Sequence, residues 1–552
     1  MSAPITTAFG EAVPPAPHHS VTVHMGRWDT VEKYGADSSA VIPHFKNAYP
    51  RMKPHRDIVK LANAVLKHIG CAAKESCLLF TSLQSAHECM GYSVSSARNQ
   101  GKGRKPVPIS RISVISLAAK DPFYAVIFPL EYQPVVAGFW STPGAGVSSR
   151  FAEANLSHLD QLRAPVTTTG RVAREQGEKR PSFDGPDHQV LRERIVSYLE
   201  RAPLDPQEQM PVADDVYLYP TGMAAIYKPH RYILDEAPGL TVLFGMAFMN
   251  TLTAFDEYGP GFKHFGHGSD ADLLALESFL DEERAQGRRV QAIWVEFPAN
   301  PLLVTPNIAR LRELADEYDV VLGIDDTISS WANVDVTAQA DILVTSLTKS
   351  FNGYADAIAG SAVLNPASLR YTRLKPLFER LYVPELYVDD AAAIERNSRD
   401  YLSRTIRLNA NAEALVMYLD SCARDPASAV CAVHYPSINA SGAHYRRFMR
   451  PTTSEFTPGF GCLFSVELDD LDTTRAFYDA LNVHKSVHLG APFTLAFAYT
   501  MCTYKKDLPW AAQYGLRPTQ IRISAGLEDT EILLKDFKVA VEAAGRVKAG
   551  RG

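Results

Sequence analysis

Lys349 follows the apolar run DILVTSLT, in which Ile342, Leu343, Val344 and Leu347 interleave with Ser346 and Thr348. Twenty-four positions upstream, a second apolar run, VVLGIDDT, delivers Asp325. A lysine at one strand end and a carboxylate at another are what a pyridoxal phosphate site requires. The lysine holds the cofactor as a Schiff base, and the acid keeps the pyridine nitrogen protonated so that the ring can draw electrons from a substrate. Tyr219-Pro220-Thr221-Gly222-Met223 supplies a third part, ending one strand and opening a helix. A glycine there lets backbone N–H groups approach an anion where the helix dipole favours negative charge. In chain order these are a phosphate cup, a nitrogen anchor and a Schiff-base lysine. Asp326, beside the anchor, reads as a cap for the next segment.

Those residues must be carried by regular elements. Val216–Pro220, Thr241–Gly245, Val290–Phe297, Val320–Asp325, Ile342–Leu347 and Ser361–Leu364 are short apolar runs bounded by turn residues. Amphipathic helices separate them. Ser269 and Asp272 form a capping-box pattern before Leu273, Leu276 and Leu280, and Thr305-Pro306 opens a helix with Ile308, Leu311 and Leu314 on one stripe. Alternation of this kind predicts an α/β fold with a mostly parallel, doubly wound sheet. Ligands bind such sheets beyond the carboxyl ends of the strands, where Asp325 and Lys349 fall.

Three regions are expected: an N-terminal extension over 1–140, a cofactor-binding domain over 141–388 and a smaller α+β domain over 389–552. The extension carries proline clusters and a basic stretch, SSARNQGKGRKPVP, read as a mobile loop. Residues 165–188, rich in Thr, Gly, Arg and Pro, read as an insertion. In the last region, helix Glu531–Ala544 frames strands Gly461–Glu467 and Gln520–Ser524.

Composition narrows the function. Of 552 residues, 56 are basic and 62 acidic, a net charge of −6, and no long basic run appears, which argues against nucleic acid or an anionic membrane as partner. Seven cysteines without a Cys-x-x-Cys pair argue against a disulfide framework and a zinc site and for a reducing compartment. The N-terminus lacks the pattern of a signal peptide, and no apolar stretch reaches membrane-spanning length, so a cytoplasmic protein is expected. His264 and His267 have metal-like spacing but no further ligands, so no metal site is assigned.

The blocks AYPRMKPH, FWSTPGAGVSSRFAE, YPTGMAAI, FGHGSDADL, VEFPANPLLVTP, GIDDT, SLTKSFNGYADAIAGSAVLNP and IRISAGLED occur in this order over nearly the whole chain. With them the chain resembles the Cys/Met-metabolism family of pyridoxal phosphate enzymes, fold type I, and most of all the long fungal cystathionine γ-synthases and their γ-replacement paralogues. The resemblance implies Lys349 as Schiff-base lysine and proton shuttle, and Asp325 against the pyridine nitrogen. It implies Gly222, Met223, Ser346 and Thr348 around the phosphate, Asn300 beside the ring oxygen, and Arg522 as clamp for the substrate α-carboxylate. Arg150, with Arg51 as the rival, would reach the phosphate of a neighbouring subunit in a homotetramer built as a dimer of dimers.

Three positions depart from the family pattern. Phe248 stands where a tyrosine usually stacks over the ring, His488 where a serine helps orient the substrate carboxylate, and Ser148 where a tyrosine precedes Ser-Arg. The expected reaction is γ-substitution on an O-acyl-L-homoserine through a vinylglycine-type intermediate. Because Phe248 and His488 fall where acceptor choice is made, the reading prefers a carbon nucleophile such as a β-keto acid, in specialised metabolism, over the cysteine of a cystathionine γ-synthase. A γ-lyase and a non-catalytic binding protein on the same scaffold are the lesser readings.

Overall fold

The computed structural model describes residues 3–46, 52–71, 74–99, 103–162, 166–168 and 183–550. At its centre lies a seven-stranded sheet. In chain order its strands are β1 (Val216–Tyr219), β2 (Leu240–Phe244), β3 (Phe262–Phe265), β4 (Val290–Glu296), β5 (Val321–Asp325), β6 (Ile342–Thr345) and β7 (Gly360–Leu364). In space the order is β1-β7-β6-β5-β4-β2-β3. All neighbours are parallel except β7, which runs antiparallel to both β6 and β1. The six expected strands are present within a few residues. β3 was not expected, because FKHF buries only one of its four residues and lacks the apolar signature of its neighbours.

The continuous apolar runs follow from burial on both faces. Tyr217, Tyr219, Leu243, Ile342 and Val344 enter one core, whereas Val216, Leu218, Val242, Phe244 and Leu343 enter the core on the opposite face. Each such side chain contributes roughly 1.5–3 kcal/mol by leaving water. Ser269 caps the helix Asp270–Ala285 as expected, while Asp272 reaches back to the N–H of Gly268 instead of completing the box. The helix after Thr305-Pro306 begins at Ile308, with the Asn307 side chain as its cap.

The first 140 residues are two structures. Residues up to 46 form a strap whose Trp28, Val31 and Phe45 enter the core of the C-terminal domain. Beyond residue 52 comes a sheet module in which Glu75–Phe80, Pro122–Pro129 and Ser113–Ala118 pair antiparallel. Val166–Thr168 joins as its fourth strand, so the region read as an insertion starts as part of this sheet. Residues 169–182 lie outside the described residues, as do 100–102 of the basic stretch, which opens with a short helix at Ser96–Asn99.

The C-terminal α+β domain holds a five-stranded sheet in the order Val430–His434, Leu463–Leu468, Gln520–Ser524, Leu495–Phe497, His484–Lys485. Its long helices are Tyr401–Ala423 and Thr530–Ala549. Among the described residues no helix is long and apolar enough to cross a membrane. All seven cysteines are free.

Candidate active site

A cavity of about 380 Å³ opens beyond the carboxyl ends of β1, β4, β5 and β6 and is closed from the other side by the C-terminal domain and the strap. Eight of the eleven expected site residues line it: Gly222, Met223, Phe248, Asn300, Asp325, Ser346, Lys349 and Arg522. Asp325 ends β5, and its carboxylate accepts from the N–H of Thr327 at 3.0 Å. Asp326 points elsewhere, taking the Thr345 hydroxyl at 2.5 Å in the buried interior. Lys349 lies four residues past the end of β6, in the turn after the strand.

Gly222 is the first residue of the helix Gly222–Glu236, whose cap is the Thr221 hydroxyl accepting from Ala224 N at 2.9 Å. A Cβ on Gly222 would stand 2.7 Å from the Ser346 side chain. Only a glycine therefore leaves the Ser346 hydroxyl and the helix N-terminus facing one narrow space, a cradle suited to a phosphate.

The charges at the floor press on one another. Burial, followed by the Arg522 guanidinium, pushes the Lys349 ammonium well below its ordinary pKa, and Asp325 opposes that shift. Burial raises the Asp325 carboxyl. Glu296, at the end of β4, accepts from the N–H groups of Phe248 at 2.7 Å and Asn300 at 3.0 Å. Burial and then Asp325 push its carboxyl up to about 8. Sequence reasoning passed over Glu296, although it opens the quoted block EFPANP. Its backbone partners come from separate loops and are invisible in the linear pattern.

Arg522, on the strand Gln520–Ser524, donates to the Asn300 side-chain oxygen at 3.1 Å and to the Val487 carbonyl at 2.5 Å. The rings of Phe497 and Tyr499 face its guanidinium. A planar cation held this way can present its remaining donors to a carboxylate.

Three expected residues do not line the cavity. Thr348 is fully buried, and its hydroxyl donates to the Ala359 carbonyl and accepts from the Ala359 N–H, both at 3.1 Å. Those bonds tie the lysine turn to the edge of β7, and Thr348 is absent from the residues that line the cavity. His488 is buried behind Val487 and Leu489, which do line the cavity. Burial, then Lys349 and Arg522, push its imidazole well below its usual pKa, so it stands near both cations as a neutral ring. Arg150 faces away from its own chain's cavity, donating to the Asp356 carbonyl at 2.8 Å and to Asp390 at 3.1 Å. Ser148 caps the helix that carries it. Arg51 lies outside the described residues. His264 Nε2 donates to the Gly245 carbonyl at 3.2 Å and its ring packs on Trp510 and Tyr514, with His267 also against Tyr514, which is structural packing.

The family described as Cys/Met metabolism PLP-dependent enzyme matches residues 206–542, and the fungal trans-sulfuration enzyme N-terminal domain matches 57–148. The chain belongs to the Cys/Met-metabolism family of PLP-dependent enzymes. The alanine racemase ungC of Aspergillus violaceofuscus is 35% identical over 100% of this chain and 99% of that one. The cystathionine γ-synthase-like enzyme iboG2 of Amanita muscaria is 34% identical over 98% and 97%. Among solved structures, a cystathionine γ-synthase from Xanthomonas oryzae pv. oryzae superposes with a TM-score of 0.54 at 21% identity, covering 69% of this chain and 92% of that one.

This family member is thus a PLP-dependent enzyme of fold type I and of the cystathionine γ-synthase-like, γ-replacement kind. The cradle at Gly222 and Ser346, the carboxylate of Asp325 and the enclosed amine of Lys349 fit the cofactor's phosphate, ring nitrogen and aldehyde. When bound, pyridoxal phosphate serves as an electron sink for the carbanion formed beside the substrate amine.

Proposed function

We propose that the enzyme performs γ-substitution on O-acetyl-L-homoserine with a carbon nucleophile, a β-keto acid such as acetoacetate, as acceptor. The observation that carries this reading is the composition of the cavity. Its floor offers a clamp for one carboxylate at Arg522, and its mouth carries Lys505 and exposed Lys506, suited to a second anion. Arg522 holds the donor's α-carboxylate. Lys349, whose amine burial holds below its ordinary pKa, is placed to take the α proton, hand it on, and then take a β proton as the γ acyloxy group leaves. Phe248, at the cavity wall, has no exchangeable proton, so Lys349 carries more of the proton traffic and that part of the wall stays apolar around the enolate carbon of the acceptor. A net anion gains more from a basic mouth than zwitterionic cysteine does.

The cysteine reading, a cystathionine γ-synthase, is the runner-up. Racemisation is a third, favoured by the resemblance to a protein named an alanine racemase. It needs only α-proton removal and return, and Phe248 in place of an ionisable side chain counts against a second base on that wall. Product mass from O-acetylhomoserine with acetoacetate, and separately with cysteine, decides between the first two. Solvent-deuterium entry at the α carbon of L-alanine with loss of optical rotation tests the third. A rate with cysteine far above that with any carbon acceptor overturns the proposal.

The protein is further proposed to act in the cytoplasm as a homotetramer in which Arg150 completes a neighbour's phosphate site. Mixing Arg150→Ala with Lys349→Ala subunits is then expected to restore part of the activity, because one interface can hold both native residues. Full activity in a demonstrated monomer refutes the shared site.

A further inference from the structure

We propose that His18, His19 and His55 form a binding site for a divalent transition-metal ion of the zinc class, assisted by Asp57 and Glu153. One ligand atom from each histidine lies within 4.8 Å of the others. The His18 Nε2 atom stands 2.9 Å from Asp57 Oδ2 and 3.4 Å from Glu153 Oε1. His19 Nε2 is 3.0 Å from Glu153 Oε2, and His55 Nδ1 is 3.4 Å from Asp57 Oδ2. Tetrahedral zinc with bonds of ~2.0–2.1 Å places its ligands roughly 3.3 Å apart; the four histidine–carboxylate separations are near that spacing, and the histidine atoms need only draw together from within 4.8 Å.

The outer contacts suit coordination as well. His55 Nε2 is 3.0 Å from the His18 carbonyl oxygen, which only an N–H can satisfy, so its Nδ1 lone pair faces the cluster. His19 Nδ1 is 3.0 Å from the Ser149 hydroxyl. A second hydrogen bond of this sort orients metal-bound imidazoles generally. Two carboxylates balance a doubly charged ion. His55 and Asp57 are buried, while the His18 side chain is 41% exposed and leaves an entry path from solvent.

Four present contacts must be exchanged: His18 Nε2 and His19 Nε2 now donate to Asp57 at 2.9 Å and Glu153 at 3.0 Å and must shift to the other tautomer, and two further bonds must open. Arg56 donates to His18 Nδ1 at 2.6 Å, and the N–H of Asp57 donates to His55 Nδ1 at 3.2 Å as a helix cap. Arg56 is exposed and can swing away. The cap is a single hydrogen bond, set against the several bonds that an ion would form to the same side chains. An ion here would staple the N-terminal strap to the helix Arg56–His68 and to the helix Ser149–Leu156, which carries Arg150.

The test uses untagged PLP-loaded enzyme, stripped with a chelator and then given equimolar Co²⁺ or Zn²⁺. One ion per chain by elemental analysis, visible Co²⁺ ligand-field bands and a Tm raised by Zn²⁺ are expected. Both His18→Ala, at an exposed position that leaves folding intact, and His19→Ala should lose the ion and the Tm rise while the bound-cofactor absorbance stays unchanged. Absence of stoichiometric metal overturns the site, and so does equal retention in the two variants.

Discussion

At the floor of the cavity, Asp325, Glu296, Lys349 and Arg522 are enclosed together, and burial shifts the pKa of both carboxyls upward and of the lysine downward. At its mouth, Lys506 is exposed, Lys505 donates to the Glu32 carbonyl at 3.1 Å, and Tyr34 and Met52 come from the N-terminal part of the chain. The floor joins strand ends of the central sheet, the turn after β6 and a strand of the C-terminal sheet, and cannot shift without disturbing the core. The mouth is assembled from segments outside the central sheet, the strap anchored by Trp28 and Val31 and the Lys505–Lys506 stretch. Cofactor chemistry therefore belongs to the rigid, charge-dense half, and choice of acceptor to the half where substitutions cost little stability.

The sharpest break of this comparison is Lys349→Ala. Loss of a positioned acid–base group alone costs ~10²–10⁴-fold in turnover, before loss of the covalent link to the cofactor is counted. Borohydride should fix the cofactor to one peptide containing Lys349, and labelling at another lysine would contradict the floor as drawn. Arg522→Ala comes next. Charge-assisted bonds to a carboxylate are worth ~1.5–3 kcal/mol each, so KM for any amino-acid donor should rise roughly 10- to 100-fold, measured by steady-state kinetics. An unchanged KM would remove the clamp from Arg522.

A third effect is on stability. In the cofactor-free protein Glu296, at about 8, keeps its proton where the unfolded chain, near 4.5, has lost it. Between these values the folded state binds more protons. Stability should therefore fall as pH rises from about 5 to 8, by up to about 1.4 kcal/mol per pH unit, with no contribution below about pH 4. Glu296→Gln should flatten that slope in Tm against pH, whatever offset it adds. The smallest effects belong to the mouth and wall. Lys506→Ala should change the acceptor KM only a few-fold and in a salt-dependent manner, since exposed charges are worth ~0.2–1 kcal/mol. Phe248→Tyr should alter the ratio of rates with acetoacetate and cysteine while leaving cofactor absorbance intact. Equal effects on both acceptors would blur the division between floor and mouth.

Much of the floor was legible because each part sits at a boundary between regular elements. Asp325 ends an apolar run, Gly222 opens a helix and Lys349 follows a strand, and such boundaries leave a mark in the one-dimensional pattern. Thr348 shows the limit of that mark. The family resemblance implies a phosphate ligand there, whereas the structure bonds its hydroxyl to Ala359, eleven residues away, a pairing that depends on how β7 turns back against β6. The strands of the N-terminal module were missed for another reason. Only Ser113–Ala118 and Pro122–Pro129 pair as neighbours in sequence, while Glu75–Phe80 and Val166–Thr168 find their partners across long intervening stretches.

By itself, the amino-acid sequence determined the α/β alternation, the doubly buried strands and the order of phosphate cup, nitrogen anchor and lysine. These depend on local periodicity and on residue types that few other structures need. Only the tertiary structure decided that Glu296 shares the floor with Asp325, that His488 stands behind the cavity wall, and that His18 and His19 of the strap meet His55 at the start of the helix Arg56–His68. Burial and long-range contact set those relations, and both are properties of the closed chain, which no short stretch of residues carries within it.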